Sequence, residues 1–165
     1  MTVLQTGRMT LRRLTPADAP FIRELVNEPS WIRYIGDRGV RSEEDARAYL
    51  LKGPIAMYER YGFGLWMCES RESGEALGIC GLIKRDSLED VDIGFAFLPR
   101  YWGQGYAQES AAAVLDYGRE VLELDRIVAI TSPDNTPSIR LLEKLGLRLE
   151  KTFEMGGMPT QLFVS

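Results

Sequence analysis

Two closely spaced glycines in the middle of the chain have the pattern of a site that holds a phosphate group. Gly103 and Gly105 follow an apolar stretch that ends at Leu98, and they precede an alanine-rich helical pattern that we expect to begin near Ala107 or Gln108. Glycine lets a ligand approach the backbone closely, and the first N–H groups of a helix have no partners within the helix. The sequence therefore predicts a strand, a loop and a helix whose N-terminus can bind an anion such as a pyrophosphate.

The same glycines also fit a plain strand-to-helix turn, and their spacing alone does not decide between the two interpretations. Two familiar nucleotide-binding motifs are disfavoured by the neighbouring residues. The dinucleotide fingerprint G-x-G-x-x-G has Gln108 at its third glycine position, and no Gly-Lys-Ser/Thr follows as it would in a P-loop.

The residues available for acid–base chemistry are limited because the chain contains no histidine. This removes the commonest general base, the Ser-His and Cys-His nucleophilic pairs and the usual zinc ligands. We expect no metal, and proton transfer must use a carboxylate, Tyr, Lys, Cys or water. Cys68 and Cys80 lie in apolar strand-like runs without metal-ligand spacing, and are interpreted as buried reduced thiols.

Composition limits the class of protein. A length of 165 residues predicts a single domain, 1–165, with a substantial core. The sequence shows neither a long uncharged apolar span nor a signal-peptide pattern, which predicts a cytoplasmic protein that does not engage a membrane. The formal net charge of -4 argues against nucleic-acid binding, which requires a basic face. A monomer and a homodimer are both compatible with the sequence.

Hydrophobic periodicity and turn signals predict the elements that must position these residues. The predicted strands lie at residues 8–14, 63–68, 76–84, 91–98, 126–131, 147–153 and 161–164. The predicted helices run from Thr15 to Val26, from Ser42 past Pro54 toward Gly62, from Gln108 to Leu122, and from Asn135 to Gly146. The order β-α-α-β-β-β-α-β-α-β-β predicts a mixed α/β fold, in which the helix after the glycine loop crosses between two parallel strands.

The segment Trp102-Gly-Gln-Gly-Tyr-Ala107 resembles motif A of the GNAT superfamily of N-acetyltransferases, written Q/R-x-x-G-x-G/A. Gly105 and Ala107 match its two small positions, whereas Trp102 stands where the family usually has Gln or Arg. A register that starts at Arg100 matches as well. The predicted order of elements is also the GNAT topology, which implies a central, mostly antiparallel sheet with flanking helices and a splayed parallel strand pair at the CoA site.

Further short motifs are similar to the branch that includes the ribosomal-protein N-terminal acetyltransferases. They are Leu11-Arg-Arg-Leu-Thr-Pro-Ala-Asp18, Tyr34-Ile-Gly36, Gly78-Ile-Cys-Gly-Leu82, Asp92-Ile-Gly-Phe95, and Asn135-x-x-Ser138 with Glu143-Lys-Leu-Gly146. Their order and spacing extend the resemblance over nearly the whole chain.

The resemblance implies which residues hold acetyl-CoA. Phe97 and Leu98 would offer backbone N–H and C=O groups to the pantetheine arm, in addition to packing as core strand residues. Asn135 would lie beside the arm and would also cap a helix. The loop that would wrap the pyrophosphate comprises Trp102, Gly103, Gln104, Gly105, Tyr106 and Ala107.

At one catalytic position the chain departs from the family. Many GNAT enzymes have Asn-x-x-Ala-x-x-Leu-Tyr, whose Tyr protonates the leaving CoA thiolate, and the residue here is Leu142. In the ribosomal-protein-type branch the Ser of Asn-x-x-Ser is a candidate for this role, which makes Ser138 the replacement. A hydroxyl in the first turn of a helix is its alternative interpretation.

A base must also take a proton from the attacking amine. Asp92 is the first candidate, because related enzymes have an acidic residue on the strand before motif A and because an apolar run raises a carboxyl pKa. The alternative is a strand-edge aspartate in water. Glu109 is the second candidate, although the helix dipole alone explains a carboxylate in a first helical turn.

Trp31 and Tyr34 are expected to line the acceptor pocket, because their segment forms one of its walls in the resembled family. Their alternative role is that of a satellite core. We interpret this wall as aromatic and weakly charged, and the acidic net charge as a mild attraction for cationic amines. The acceptors that suit such a wall are a peptide N-terminus and a small amine.

These observations predict an acetyl-CoA-dependent N-acetyltransferase that acts on a primary amine by direct transfer. A covalent enzyme intermediate is disfavoured because no activated nucleophile is evident. The alternative function is a catalytically silent acyl-CoA-binding or regulatory module, which the leucine at position 142 keeps open.

Overall fold

One eight-stranded sheet runs through the computed structural model of the protein, which describes residues 1–165. The strands are β1 (Thr2–Gln5), β2 (Met9–Arg13), β3 (Leu65–Ser70), β4 (Ala76–Ile83), β5 (Val91–Phe97), β6 (Ile127–Thr131), β7 (Arg148–Met155) and β8 (Met158–Val164). Their spatial order is β1-β2-β3-β4-β5-β6-β8-β7, and every neighbouring pair is antiparallel except β5 and β6. The mixed, mostly antiparallel α/β fold predicted from the sequence is therefore confirmed.

Six α-helices flank the sheet. They are α1 (Ala19–Val26), α2 (Pro29–Tyr34), α3 (Glu43–Leu50), α4 (Ala56–Tyr61), α5 (Tyr106–Glu120) and α6 (Thr136–Lys144). A turn of π-helix at Leu51–Ile55 joins α3 to α4. The widened turn contains Pro54, which lacks a backbone N–H, so the chain continues past the proline without ending the helix. No helix is both long enough and apolar enough to cross a membrane.

Side-chain caps begin two of these helices at the residues that the sequence indicates. The Ser42 hydroxyl accepts a hydrogen bond from the Asp45 N–H at 3.0 Å at the start of α3. The Asn135 side-chain oxygen accepts from the Ser138 N–H at 3.4 Å at the start of α6. Each cap satisfies an N–H group that has no partner within its helix, and so fixes where the helix begins.

The two faces of the sheet bury separate hydrophobic clusters because side chains alternate along a strand. On β3, Trp66 and Cys68 belong to the cluster that packs against α5, and Met67 belongs to the cluster that packs against α1 and α3. Both clusters reach β5, so the strand that leads into the glycine loop is held from both sides.

The parallel pair separates almost as soon as it forms. Strands β5 and β6 pair only through Val91 with Ile127 and Asp92 with Val128. Beyond these residues β6 continues to pair with β8 on its other side. The gap that opens beside β5 leads toward the glycine loop, and it confirms the expected splayed pair.

Two elements were missed by the sequence analysis. Strand β1 has only four residues, too few to establish an alternating pattern. The sequence analysis placed no helix between Val26 and Ser42, but Pro29 occupies the first position of α2, where a missing N–H costs nothing. The last two predicted strands form a hairpin whose turn contains Gly156 and Gly157, with φ of +59° and +79°.

Candidate active site

A cavity of about 970 Å³ occupies the gap where β5 and β6 separate. It is bordered by the open edge of β5, the glycine loop, the first turn of α5, the start of α6 and the segment around α2. Its size suits a ligand larger than a typical amino acid or sugar. The candidate residues from the sequence can therefore be placed relative to one site.

The glycine loop presents an uninterrupted row of unused hydrogen-bond donors. None of the backbone N–H groups of residues 103–108 donates to an acceptor in the chain, and the first that does is Glu109, to the Gly105 carbonyl at 3.0 Å. Gly103 and Gly105 have φ of +75° and +85°, values that favour glycine. Six such donors at the start of a 15-residue helix form a site for an anionic group.

Most of the predicted loop residues face the cavity, and one does not. Trp102, Gly103, Gly105, Tyr106 and Ala107 line it. Gln104 lies outside the lining, and its side-chain amide donates to the Arg100 carbonyl at 3.3 Å. Any contribution of Gln104 to ligand binding therefore comes from its backbone.

The edge of β5 supplies further backbone groups. The Leu98 N–H donates to the Leu77 carbonyl on β4 at 3.1 Å. Because hydrogen bonding alternates along an antiparallel pair, the N–H and C=O groups of Phe95 and Phe97, which lie beyond the pairing with β6, point away from β4, toward the gap. The Phe97 carbonyl already accepts the Trp102 indole N–H at 2.8 Å, which leaves the Phe97 N–H as the donor available at this position.

The structure contradicts the expectation that Leu98 offers backbone groups to a ligand. Its N–H is bonded to Leu77, its carbonyl accepts the Tyr101 N–H at 2.9 Å, and its side chain is fully buried. Leu98 begins the turn after β5, where the backbone folds back on itself, and it packs in the cluster against α1 and α3.

Asp92, the first candidate for the base, is a buried carboxylate at the border of the cavity. Its side chain is only 1% exposed, and it borders the cavity. Burial raises the pKa of Asp92 to about 6, against the opposing effect of the Arg85 cation. The Arg85 Nε lies 3.1 Å from one carboxylate oxygen and 3.3 Å from the other. A carboxyl group with this pKa exchanges a proton near neutral pH.

Glu109 lies outside the cavity lining, and both of its carboxylate oxygens already accept hydrogen bonds within the chain. Its carboxylate accepts hydrogen bonds from the Thr6 hydroxyl at 2.5 Å, the Arg8 N–H at 3.0 Å and the Arg8 Nε at 2.8 Å. Burial acts to raise the pKa of Glu109, but these donors outweigh it and lower the value. Glu109 thus ties the β1–β2 hairpin to α5, and the geometry contradicts its candidacy as a base.

The start of α6 brings two predicted residues to the cavity. Asn135 and Ser138 both line it, and they are joined by the cap that begins the helix. Leu142, one turn further on, is 1% exposed and packs in the core behind the lining. Ser138 is therefore the hydroxyl that α6 presents here.

Trp31 and Tyr34 line the other end of the cavity, but the wall they belong to is not weakly charged. Arg38 and Arg85 line the same cavity. Burial raises the pKa of Tyr49, while the positive charges of Arg38 and Arg85 act to lower it. The expected attraction for cationic amines is not supported here, because Glu28 and Asp92 in the lining are matched by Arg38 and Arg85.

Two further cations were missed by the sequence analysis. Arg140 and Lys144 lie four residues apart on α6, line the cavity and form no ion pair. Their i, i+4 spacing after the Asn135 cap was a detectable signal, because it places both side chains on one helix face. No cluster of three or more His, Cys, Asp or Glu side chains is arranged to hold a metal ion.

Comparisons with known sequences give one consistent result. A family model described as an acetyltransferase (GNAT) domain matches residues 8–148. The chain is 33% identical over 165 residues to the uncharacterized protein YkkB of Bacillus subtilis (strain 168), an alignment covering 98% of this chain and 94% of that protein. It is 32% identical over 151 residues to the uncharacterized N-acetyltransferase YnaD of the same organism, covering 92% and 85% respectively.

Solved structures show the same fold. An acetyltransferase (GNAT family) from Bacillus anthracis superposes with a TM-score of 0.82 at 28% identity, covering all of this chain and 98% of that one. The ribosomal L7/L12 alpha-N-protein acetyltransferase RimL, solved in complex with coenzyme A, superposes with a TM-score of 0.84 over all of this chain and 97% of that one. At 17% identity, this second likeness concerns the fold alone.

Proposed function

The chain belongs to the GNAT acetyltransferase family and is an acetyl-CoA-dependent N-acetyltransferase, and we propose that its acceptor is a primary amine that attacks the thioester directly. The acceptor classes proposed are a peptide N-terminus and a small amine. The observation that carries the proposal is the row of six unpartnered N–H groups at residues 103–108, beside a buried carboxylate in the same cavity.

The residues around the glycine loop fit the anionic part of coenzyme A. The N–H groups of residues 103–108 would hold the pyrophosphate, because each would otherwise lack an acceptor. Arg140 and Lys144 supply unpaired positive charge on the neighbouring helix for the remaining phosphate. The Phe97 N–H and the residue Asn135 would border the pantetheine arm.

Acid–base roles follow from the cavity lining. Asp92 would take the proton that the amine loses as its nitrogen forms a bond to the thioester carbon, directly or through one water. Outward-facing N–H groups of β5 would donate to the oxygen on which negative charge develops. Ser138 would give its proton to the sulfur as the carbon–sulfur bond breaks, and would regain one from solvent.

We also propose that the chain is related to the branch that includes the ribosomal-protein N-terminal acetyltransferases, on the strength of its sequence motifs. Residues 1–165 are proposed to form one domain, because all eight strands belong to one sheet. A cytoplasmic location is supported by Cys68 and Cys80, which are buried free thiols. A monomer or a homodimer stays a prediction.

The loop assignment is tested with a matched pair of glycine variants. Gly103 and Gly74 have φ of +75° and +76°, and a Cβ added at either meets no atom within 4 Å. Alanine should therefore cost about the same stability at both positions, roughly 1–2 kcal/mol for a left-handed residue. Only Gly103 lines the cavity, so only Gly103→Ala should weaken CoA binding in calorimetry, by about tenfold or more if one hydrogen bond to phosphate is lost.

The pair separates a binding effect from a folding effect. Equal loss of stability with weaker CoA binding in Gly103→Ala alone supports the assignment. Unchanged CoA affinity in Gly103→Ala, with Gly74→Ala behaving identically, means that the pyrophosphate is held elsewhere. Gly105 is less suitable for the test, because a Cβ there would lie 3.3 Å from the Arg8 Nη2.

A further inference from the structure

Two arginines outside the glycine loop, Arg38 and Arg85, line the same cavity. Arg38 follows α2, Arg85 follows β4, and both line the cavity together with Tyr49 of α3. Arg38, Arg85 and Tyr49 are taken together as one corner of the cavity, and Arg38 and Tyr49 also share a second, smaller pocket. This corner is separate from Arg140 and Lys144, which lie on α6.

Most of the donors of these two arginines are unused. Arg85 contacts Asp92 through Nε alone, so neither of its terminal nitrogens has a partner in the chain. Arg38 forms no ion pair and no side-chain hydrogen bond. The fork of a guanidinium matches the two oxygens of a carboxylate, so both arginines have free N–H groups that can donate hydrogen bonds to a carboxylate.

Charged side chains of both signs line the cavity. Four cationic side chains and two carboxylates line the cavity, although the chain as a whole carries a net charge of -4. One of the carboxylates is Asp92, which already contacts Arg85, and the other is Glu28 at the start of α2. These two carboxylates balance the formal charges of Arg38 and Arg85, so the unused guanidinium N–H donors, and not a net charge, would bind an oxyanion on the acceptor.

We propose that the acceptor is a small amine with a carboxylate on the same or the next carbon atom, held by Arg38 and Arg85. This inference rests on the proposed function, because it takes Asp92 as the base that receives the amine's proton. Arg85 and Asp92 are in direct contact, so a ligand whose amine meets Asp92 and whose carboxylate meets Arg85 must carry the two groups close together. An α- or β-amino acid does so, whereas a peptide N-terminus has an amide at that place.

The test compares matched amines with purified protein and acetyl-CoA, with free thiol as the readout. Glycine and β-alanine are compared with glycinamide, β-alaninamide and a short peptide with a free N-terminus. Aminomethylphosphonate separates a carboxylate site from a general oxyanion site. We expect kcat/KM to be at least about tenfold higher for the amino acids than for their carboxamides, the effect of one hydrogen bond to a charged group.

Variants then locate the preference. Arg38→Gln should raise KM for the amino acids by about tenfold to a hundredfold and leave KM for the carboxamides unchanged, because Arg38 does not touch Asp92. Arg85→Gln should also abolish the preference, in addition to any effect on kcat through Asp92. Arg47→Gln is the control, since Arg47 is an exposed residue of α3 outside the cavity.

A calorimetric arm keeps the two proposals distinguishable. Glycine and glycinamide are titrated into CoA-saturated wild type and Arg38→Gln. Thiol release that is equal or faster with carboxamides or the peptide, or an amino-acid preference that survives both arginine variants, overturns the carboxylate site and leaves acetyl transfer to amines intact. Absence of thiol release with every amine counts against the proposed function. Calorimetry then decides the carboxylate site by itself. Tighter binding of glycine than of glycinamide that is lost in Arg38→Gln supports the site, and a preference that is absent or is kept in Arg38→Gln overturns it.

Discussion

Replacing Asp92 by asparagine should make the protein more stable and less active at the same time. The pKa of Asp92 is raised from 3.8 to about 6, because burial penalises its charged form. The folded state therefore binds this proton more tightly than the unfolded state, so the ionised group weakens the fold. Wild-type stability should fall as the pH rises from about 4 to about 6, and that loss should be absent from Asp92→Asn.

The structure gives the size of the effect. A raised pKa of about two units corresponds to roughly 3 kcal/mol, since each unit is worth about 1.4 kcal/mol. The Arg85 side chain is 32% exposed and stays partly hydrated when its partner loses its charge. We expect Asp92→Asn to gain about 1–3 kcal/mol at pH 7.5 and about zero near pH 4.

Two assays check both halves of this prediction. Urea unfolding at pH 4, 6 and 7.5 gives the stability difference, and steady-state kinetics gives turnover, with CoA affinity from calorimetry as the control. We expect kcat to fall by about 10²–10⁴ while CoA affinity is retained. A variant that is less stable at pH 7.5, or one with wild-type turnover and an unchanged pH–rate profile, would refute the assignment of Asp92 as the base.

Three further predictions concern the rest of the site. Tyr34→Ala should raise the acceptor KM several-fold and leave CoA affinity nearly unchanged, and an unaltered KM would place the acceptor elsewhere. Glu109→Gln should cost about 1–2 kcal/mol at pH 7, because its hydrogen bonds to Thr6 and Arg8 weaken. Since the pKa of Glu109 is lowered, that cost should vanish as the pH falls through its folded value, while kcat stays the same. Lys144→Gln should weaken binding of CoA more than of dephospho-CoA, and an equal effect on both would argue against a phosphate contact.

The glycine loop could be predicted from the sequence because its signals are local. Positive φ at Gly103 and Gly105, the helix that follows and the strand that precedes them all depend on neighbouring residues. The cap at Asn135 is equally local. Asp92 could be proposed because an aspartate within an apolar strand implies burial, and the sheet provides it.

The features that were missed or wrongly assigned depend on contacts between distant parts of the chain. In the sequence Glu109 is a carboxylate without an evident partner, but Thr6 and Arg8, more than 100 positions away, donate hydrogen bonds to it. Arg38 and Arg85 line one cavity only because the segments that follow α2 and β4 are brought together around it. Leu98 lost its predicted role through a hydrogen bond across the sheet to Leu77. Periodicity and spacing carry no information about such pairings.

The most direct test of acetyl transfer is to incubate the protein with acetyl-CoA and a set of primary amines, and to measure free CoA thiol and acetylated amine together. We predict equal amounts of the two products, formed only when amine is present, with no acetyl group on the protein itself. Saturable CoA binding without thiol release for any amine would contradict the account and would favour a silent acyl-CoA-binding module.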